Sequence, residues 1–226
     1  DLSPYGTIII ASDQPQGFYD TMAANMAKLE AFVNAGGALD VQAADQGWQA
    51  SLWSNLLPGG VGHVSPDYQQ DNFIVDAAHP VVAGMTNADY TGWNYVSHGY
   101  FTNLVGGTNV ILQDLNGQPT TIEYAFGAGT VLATMQTLEW RYATDARPLS
   151  NTIAYIASQA DCGGPPGQCK LLLLKDANAW GIDPDPNETV LNALGLAYDV
   201  ATAAQFVSLD LSPYGTIIIA SDQPQG

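Results

Sequence analysis

Acid, amide and indole side chains recur just after apolar runs in this sequence. Asp176, Asn178 and Trp180 follow KLLLLK, Asp13 and Gln14 follow TIIIAS, and Asp45, Gln46 and Trp48 follow ALDVQA. If those runs are neighbouring parallel strands, their carboxyl ends bring the three groups to one edge of a sheet, where open α/β sheets hold ligands. Indole faces beside amides and carboxylates suit a sugar, and the carboxylates alone have the hard oxygens that Ca²⁺ takes. Asp13, Asp45, Trp48, Asp176 and Trp180 are therefore the expected ligand contacts. The competing reading is structural, with Asp and Asn starting the helices that follow and the tryptophans covering the sheet ends.

Other chemistry has less to work with. His79 precedes Pro80 in AAHPVVAGM and is expected to order that turn; His98 stands in YVSHGYF. Acid–base work by His98 with Glu139 or Asp45 would need a nucleophile and a spacing motif, and neither is present. The sequence has no Gly-rich phosphate loop, no Cys/His cluster and no G-x-S-x-G elbow. In GIDPDPNE, Asp185 and Glu188 read as helix-capping groups, because the prolines remove the alternating ligand geometry of a calcium loop. No metal site and no cofactor are expected, Ca²⁺ being the one ion these carboxylates suit. GWQASLW, TGWNYVSHGYF and LEWRY are conspicuously aromatic for a chain with so few charges.

The elements that would position these residues follow from hydrophobic periodicity. KLLLLKD at 170–176 reads as a buried strand, followed by a helix over 186–196 with Asp185 as N-cap and Pro186 in its first position. Of YDVA and FVSLD, one reads as a strand, and TIIIAS as the next. Phe18 to Ala35 reads as one helix with Met22, Met26, Leu29 and Val33 on a single face, stopped by Gly36-Gly37. ALDVQA, NVILQDL, TTIEYAF and TVLATMQ read as later strands, and ARPLSNTIAYIASQ as a closing helix. The expected fold class is α/β with a mostly parallel open sheet, its order starting at Lys170 and passing through Asp1 to Gln159.

In that rotated order, KLLLLKD, DLSPYGTIIIASDQP, MAANMAKLEAFVNAGG, ALDVQAADQGW, HPVVAGM and GAGTVLATMQTLEW resemble the class I glutamine amidotransferase-like superfamily, in particular its secreted members. The resemblance implies a flavodoxin-like fold of three layers, α/β/α, around a mostly parallel open sheet. It also implies a Cys nucleophile on a sharp turn after ALDVQA, with a His and a Glu supplied late in the domain. The matching segment, Ala43 to Gly47, holds no cysteine, and the late position keeps Glu139 without a neighbouring His. The expectation is accordingly no enzyme by that mechanism.

Composition bounds the rest. The 226 residues are 46% hydrophobic, with a net charge of -17 from 22 acidic and five basic residues. So few cations exclude a nucleic-acid surface, and no apolar stretch is long enough for membrane insertion. Cys162 and Cys169 enclose a Gly/Pro-rich linker over 161–169 and read as a small disulfide loop, which points to an extracellular or cell-surface location. Residues 1–17 and 210–226 are identical, DLSPYGTIIIASDQPQG. Buried strands tolerate exchange among Ile, Val and Leu, so full identity implies copying. The reading is a tandem array with a period running from Asp1 to Asp210.

Residues 1–160 are then the larger part of one domain. Residues 170–226 supply its first strands and helix, or those of the next unit. Thr7, Ile8, Ile9 and Ile10, with Thr216, Ile217, Ile218 and Ile219, are the expected strand linking units. The expected function is a non-catalytic structural repeat module of a cell-surface or filament-forming protein, its partners other copies head to tail. The alternatives are a carbohydrate-binding accessory module with glycan partners, and a degenerate amidotransferase-like hydrolase using His98 and Glu139.

Overall fold

Short runs of Ile, Leu and Val become strands buried on both faces, as a parallel sheet covered by helices requires. The computed structural model describes residues 5–47, 50–53, 56–160, 170–176, 178–209 and 218–220. In chain order the main elements are β1 (Tyr5–Ile10), α1 (Gln16–Ala24), α2 (Met26–Asn34), β2 (Ala38–Gln42), β3 (Gly62–Val64), β4 (Asn72–Ile74) and β5 (Tyr100–Thr102). They continue with β6 (Asn109–Asp114), β7 (Pro119–Phe126), β8 (Gly129–Thr134), α3 (Leu138–Tyr142), α4 (Arg147–Ser158) and β9 (Lys170–Lys175). The last are α5 (Pro186–Ala193), β10 (Tyr198–Ala201), α6 (Ala203–Ser208) and β11 (Ile218–Ala220).

Among the described residues the main sheet runs β10-β9-β11-β1-β2-β8-β7-β6-β4. Pairings from β10 to β8 are parallel, and β8, β7, β6 and β4 continue as an antiparallel arm. Counted from β9 in the cyclic order, with β11 set aside, the parallel strands stand 2-1-3-4-5. That is the flavodoxin-like order, with a topological switch point between β9 and β1.

Helices α1, α2 and α6 cover one face, where Phe18, Met22, Phe32 and Phe206 pack on Ile8, Ile10, Val41 and Leu172. On the other face Leu149, Ile153, Ile156 and Leu191 of α4 and α5 pack on Ile9, Leu132 and Leu173. The fold is a three-layer α/β/α sandwich with a mostly parallel open sheet, as its hydrophobic pattern indicates.

One helix differs from the sequence reading, and some short elements go beyond it. The single helix over Phe18 to Ala35 is two, broken at Asn25. The Asn25 amide group donates to the Thr21 carbonyl at 2.8 Å, competing for the backbone acceptor that a continuous helix would use. LEWRY forms α3, and two short strands, β3 and β5, pair as a separate antiparallel ribbon. Of YDVA and FVSLD, YDVA is the strand, as β10, while Phe206 and Val207 lie in α6, capped by Thr202 and Gln205.

The two copies of the repeated stretch meet at one place in the sheet. β1 pairs with β2 over four residues, and it reaches β9 directly at Tyr5 with Lys170 and at Ile8 with Leu172. Beyond that point β11 enters between them, with Ile218 opposite Leu173 and Ile219 between Leu174 and Ile10. Thr216 and Ile217 lie outside the described residues, as do Cys162, Cys169 and Trp48.

Candidate functional site

At the carboxyl ends of the parallel strands the backbone turns sharply. Of the six non-glycine residues described with positive φ, four belong to this edge: Asp13 after β1, Gln46 after β2, Trp180 after β9, and Tyr95 in the loop that approaches β8. Left-handed backbone at non-glycine residues costs energy and gathers where a site must be shaped. Gly47 lies where a Cβ would fall 2.1 Å from the Trp180 ring and 2.6 Å from the Asp13 carboxyl carbon. The turn after β2 therefore closes tightly against the turns after β9 and β1.

A distant segment completes the edge. Residues 96–98 run beside the end of β8, with His98 N donating to Met135 O at 2.9 Å and Thr137 N to Val96 O at 3.2 Å. Behind them Asn72 takes hydrogen bonds from Thr120 Oγ1 and Gln136 Nε2 and gives one to Ser97 Oγ. Gly99 permits the approach, because a Cβ there would lie 2.1 Å from Val64 O.

These turns enclose an open cavity of about 390 Å³ lined by Gln46, Gly47, Tyr68, Asn94, Tyr95, His98, Thr137, Trp140 and Trp180. Its rings form a continuous run. Centroids are 5.0 Å apart for Tyr95 and Tyr68, 4.8 Å for Tyr68 and His98, 5.8 Å for His98 and Trp180, and 6.0 Å for Trp180 and Trp140. Tyr68, Tyr95 and Trp140 are 42%, 43% and 40% exposed. They are the three aromatics among the exposed large hydrophobic side chains described, and all three line this cavity.

Beneath the rings lies a buried polar chain. Trp180 Nε1 donates to Ser12 Oγ at 2.9 Å, Ser12 Oγ donates to Glu139 Oε2 at 2.6 Å, and Ser12 N donates to Glu139 Oε1 at 3.1 Å. Burial pushes Glu139 up to about 7, against the lowering effect of the Ser12 hydrogen bonds. Asp45 accepts from Trp53 N at 2.7 Å and from the Ser65 hydroxyl, and burial raises it to about 6. Its backbone carbonyl takes a hydrogen bond from His98 Nδ1. A carbonyl only accepts, so Nδ1 carries the proton and Nε2 presents its lone pair. Burial lowers the His98 pKa, which keeps the ring neutral.

The sequence reading placed five contacts here. Trp180 lines the cavity. Asp13 and Asp45, 1% and 0% exposed, support it from behind instead of facing a ligand. Asp176 is not brought in: its Oδ1 accepts from Ala203 N at 2.7 Å and anchors the start of α6. Trp48 lies outside the described residues. Tyr95 and Trp140 sit in two of the aromatic-rich stretches, so composition carried their signal without assigning it. Nothing in the sequence singles out Tyr68.

The remaining candidates settle into structural contacts. His79 Nδ1 accepts from Val81 N at 3.3 Å, so it orders the turn at Pro80, and its Nε2 donates to Glu123. Asp185 caps α5 through Asn187 N and Glu188 N. Among the described residues no three His, Cys, Asp or Glu side chains converge as metal ligands.

No known family's sequence profile matches the chain. An uncharacterized protein of Clostridium acetobutylicum is 35% identical over 150 residues, 66% of this chain; the chain spans about 15% of that relative's length. A cytoplasmic protein of Salmonella typhimurium, known by structure, aligns over 66% of this chain and 71% of its own, at 18% identity and a TM-score of 0.43.

Proposed function

We propose that the chain is a non-catalytic ligand-binding repeat module of a longer extracellular protein, with the aromatic cavity at the strand ends as its binding site. One observation carries the reading: the three aromatic side chains exposed among the described residues all line a single cavity. Exposed aromatic surface is costly in water unless a ligand or partner covers it. The backbone around it adds support, since four left-handed non-glycine residues shape the same edge.

The non-catalytic part rests on the residues present. The resemblance to amidotransferase-like domains puts the nucleophile in the turn after β2, where Ala43 to Gly47 offers neither thiol nor hydroxyl. The hydroxyls around that turn are already engaged: Ser65 donates to Asp45, and Ser12, 0% exposed, donates to Glu139. The repeat part rests on the identity of residues 1–17 with 210–226.

Thermal-shift screening with neutral sugars, aromatic acids and quaternary ammonium compounds tests the binding site. At least one class should raise the melting temperature of the wild type and leave Trp140→Ala unmoved. A panel that shifts neither protein overturns the reading. A nucleophile trapped by a fluorophosphonate or haloacetamide probe at any residue of the cavity would overturn the non-catalytic part.

A further inference from the structure

The lining of the cavity restricts what it can take. Lys, Arg, Asp and Glu are all absent from the lining residues, and Asp13 and Asp45 are closed off behind it. A ligand with a fixed charge would be desolvated there without a counter-charge, which disfavours anions and cations alike. The polar groups that do line it are of mixed sense. Gln46 and Asn94 each offer an amide donor and acceptor, Thr137 a hydroxyl oxygen whose proton goes to Tyr95 O at 3.1 Å, and His98 Nε2 an acceptor with no partner among the described residues. The Tyr68 hydroxyl gives its proton to Gln46 O at 3.4 Å, and its ring adds apolar surface to the wall.

A flat apolar ligand would cover the rings but strand the amides and the His98 lone pair away from water, and an unpaired buried polar group is expensive. A ligand with apolar C–H faces and hydroxyls around its rim satisfies both sets.

We infer that the cavity binds a neutral sugar ring. A pyranose face lies against Trp140 and Tyr95, one of its hydroxyls donates to His98 Nε2, and others exchange hydrogen bonds with the Asn94 and Gln46 amides. The cavity volume of about 390 Å³ lies toward the small end of ligand pockets and suits one or two sugar residues. The inference rests on reading the cavity as a ligand site, and it adds the class of ligand and the acceptor that selects it.

Isothermal titration of the full chain tests it, with methyl glycosides of glucose, galactose, mannose and N-acetylglucosamine, and with tetramethylammonium and indole as contrasting probes. Two variants accompany the wild type. Trp140→Ala removes an exposed ring. His98→Asn keeps a donor in the place of Nδ1, and so the hydrogen bond to Asp45 O, while deleting the Nε2 acceptor.

The expected result is saturable binding of at least one glycoside, weakened about tenfold or more by each variant at unchanged melting temperature. Glycoside binding that both variants leave intact overturns the assignment of the site. Trp140-dependent binding of tetramethylammonium or indole, with no glycoside bound, overturns the sugar inference and leaves the ligand site standing. No binding of any probe overturns both.

Discussion

Glu139 is wholly buried, yet both its oxygens are engaged by Ser12, whose hydroxyl also accepts the Trp180 indole proton. The carboxyl thus holds one wall of the cavity in place at second hand. Its pKa of about 7 against an ordinary 4.5 has a consequence for stability. Between those values the folded chain keeps a proton that the unfolded chain has released, so stability falls as pH rises from about 4.5 to 7 and levels off above. Glu139 alone accounts for a loss on the order of 2 to 4 kcal/mol. Asp45, raised to about 6, and Asp40, raised by burial, act in the same direction. Urea denaturation at pH 5 and pH 8 should find the domain more stable at pH 5. Glu139→Gln should flatten that dependence, while Glu139→Ala, which strands Ser12 N, should cost about 2 to 4 kcal/mol and shift Trp180 fluorescence. A wild type more stable at pH 8 would contradict the buried neutral carboxyl.

The site is assembled from turns after β1, β2, β8 and β9, plus a loop that belongs to none of them. Segment 96–98 reaches the edge because Gly99 lets its backbone lie against Val64 O, and because Asn72 ties Ser97 to Thr120 and Gln136. Gly99→Ala places a methyl within 2.1 Å of that carbonyl and 2.6 Å of Met135 Cε. The strand ends would have to separate, at a cost of about 2 to 4 kcal/mol. His98 would leave its place beside Asp45 O. Chemical denaturation with the His98 ring followed by NMR checks both effects; a change within 0.5 kcal/mol and an unmoved imidazole would contradict this packing. β9 and β1 were legible in the sequence because each is a short run of Leu or Ile bounded by turn residues, whereas β10, with the single Val200, was legible only as one of two options. The antiparallel ribbon of β3 and β5 was not, since three-residue strands carry no period.

At the scale of the whole molecule, two identical stretches compete for one neighbour. β1 has the firmer place, paired with β2 over Thr7 to Ile10 and 0% exposed at Ile8, Ile9 and Ile10, whereas β11 adds three residues beside β9. A variant lacking residues 210–226 should therefore keep its fold, with β1 free to pair with β9 along its length, and its melting temperature should change by about 4 °C or less. Ile9→Asp, a charge in the core of β1, should abolish folding in the same background. Loss of cooperative unfolding in the shortened chain would mean that β11, not β1, holds the sheet together.

What the sequence determined by itself was most of the strands and helices and their cyclic order along the chain. Hydrophobic period, cap residues and glycine stops are local signals, and they survive rotation of the chain. It also located the edge where Asp13, Gln46 and Trp180 collect, because that edge follows from which strands are parallel. Only the tertiary structure decided which of those side chains face outward. Asp13 and Asp45 turned inward and Asp176 went to the start of α6. Tyr68, which stands 27 residues before Tyr95 and 30 before His98, met both of them and Trp140 and Trp180 at the strand ends. The facing of a side chain at a sharp turn depends on a left-handed backbone angle and on contacts from distant segments, and neither leaves a mark in residue order.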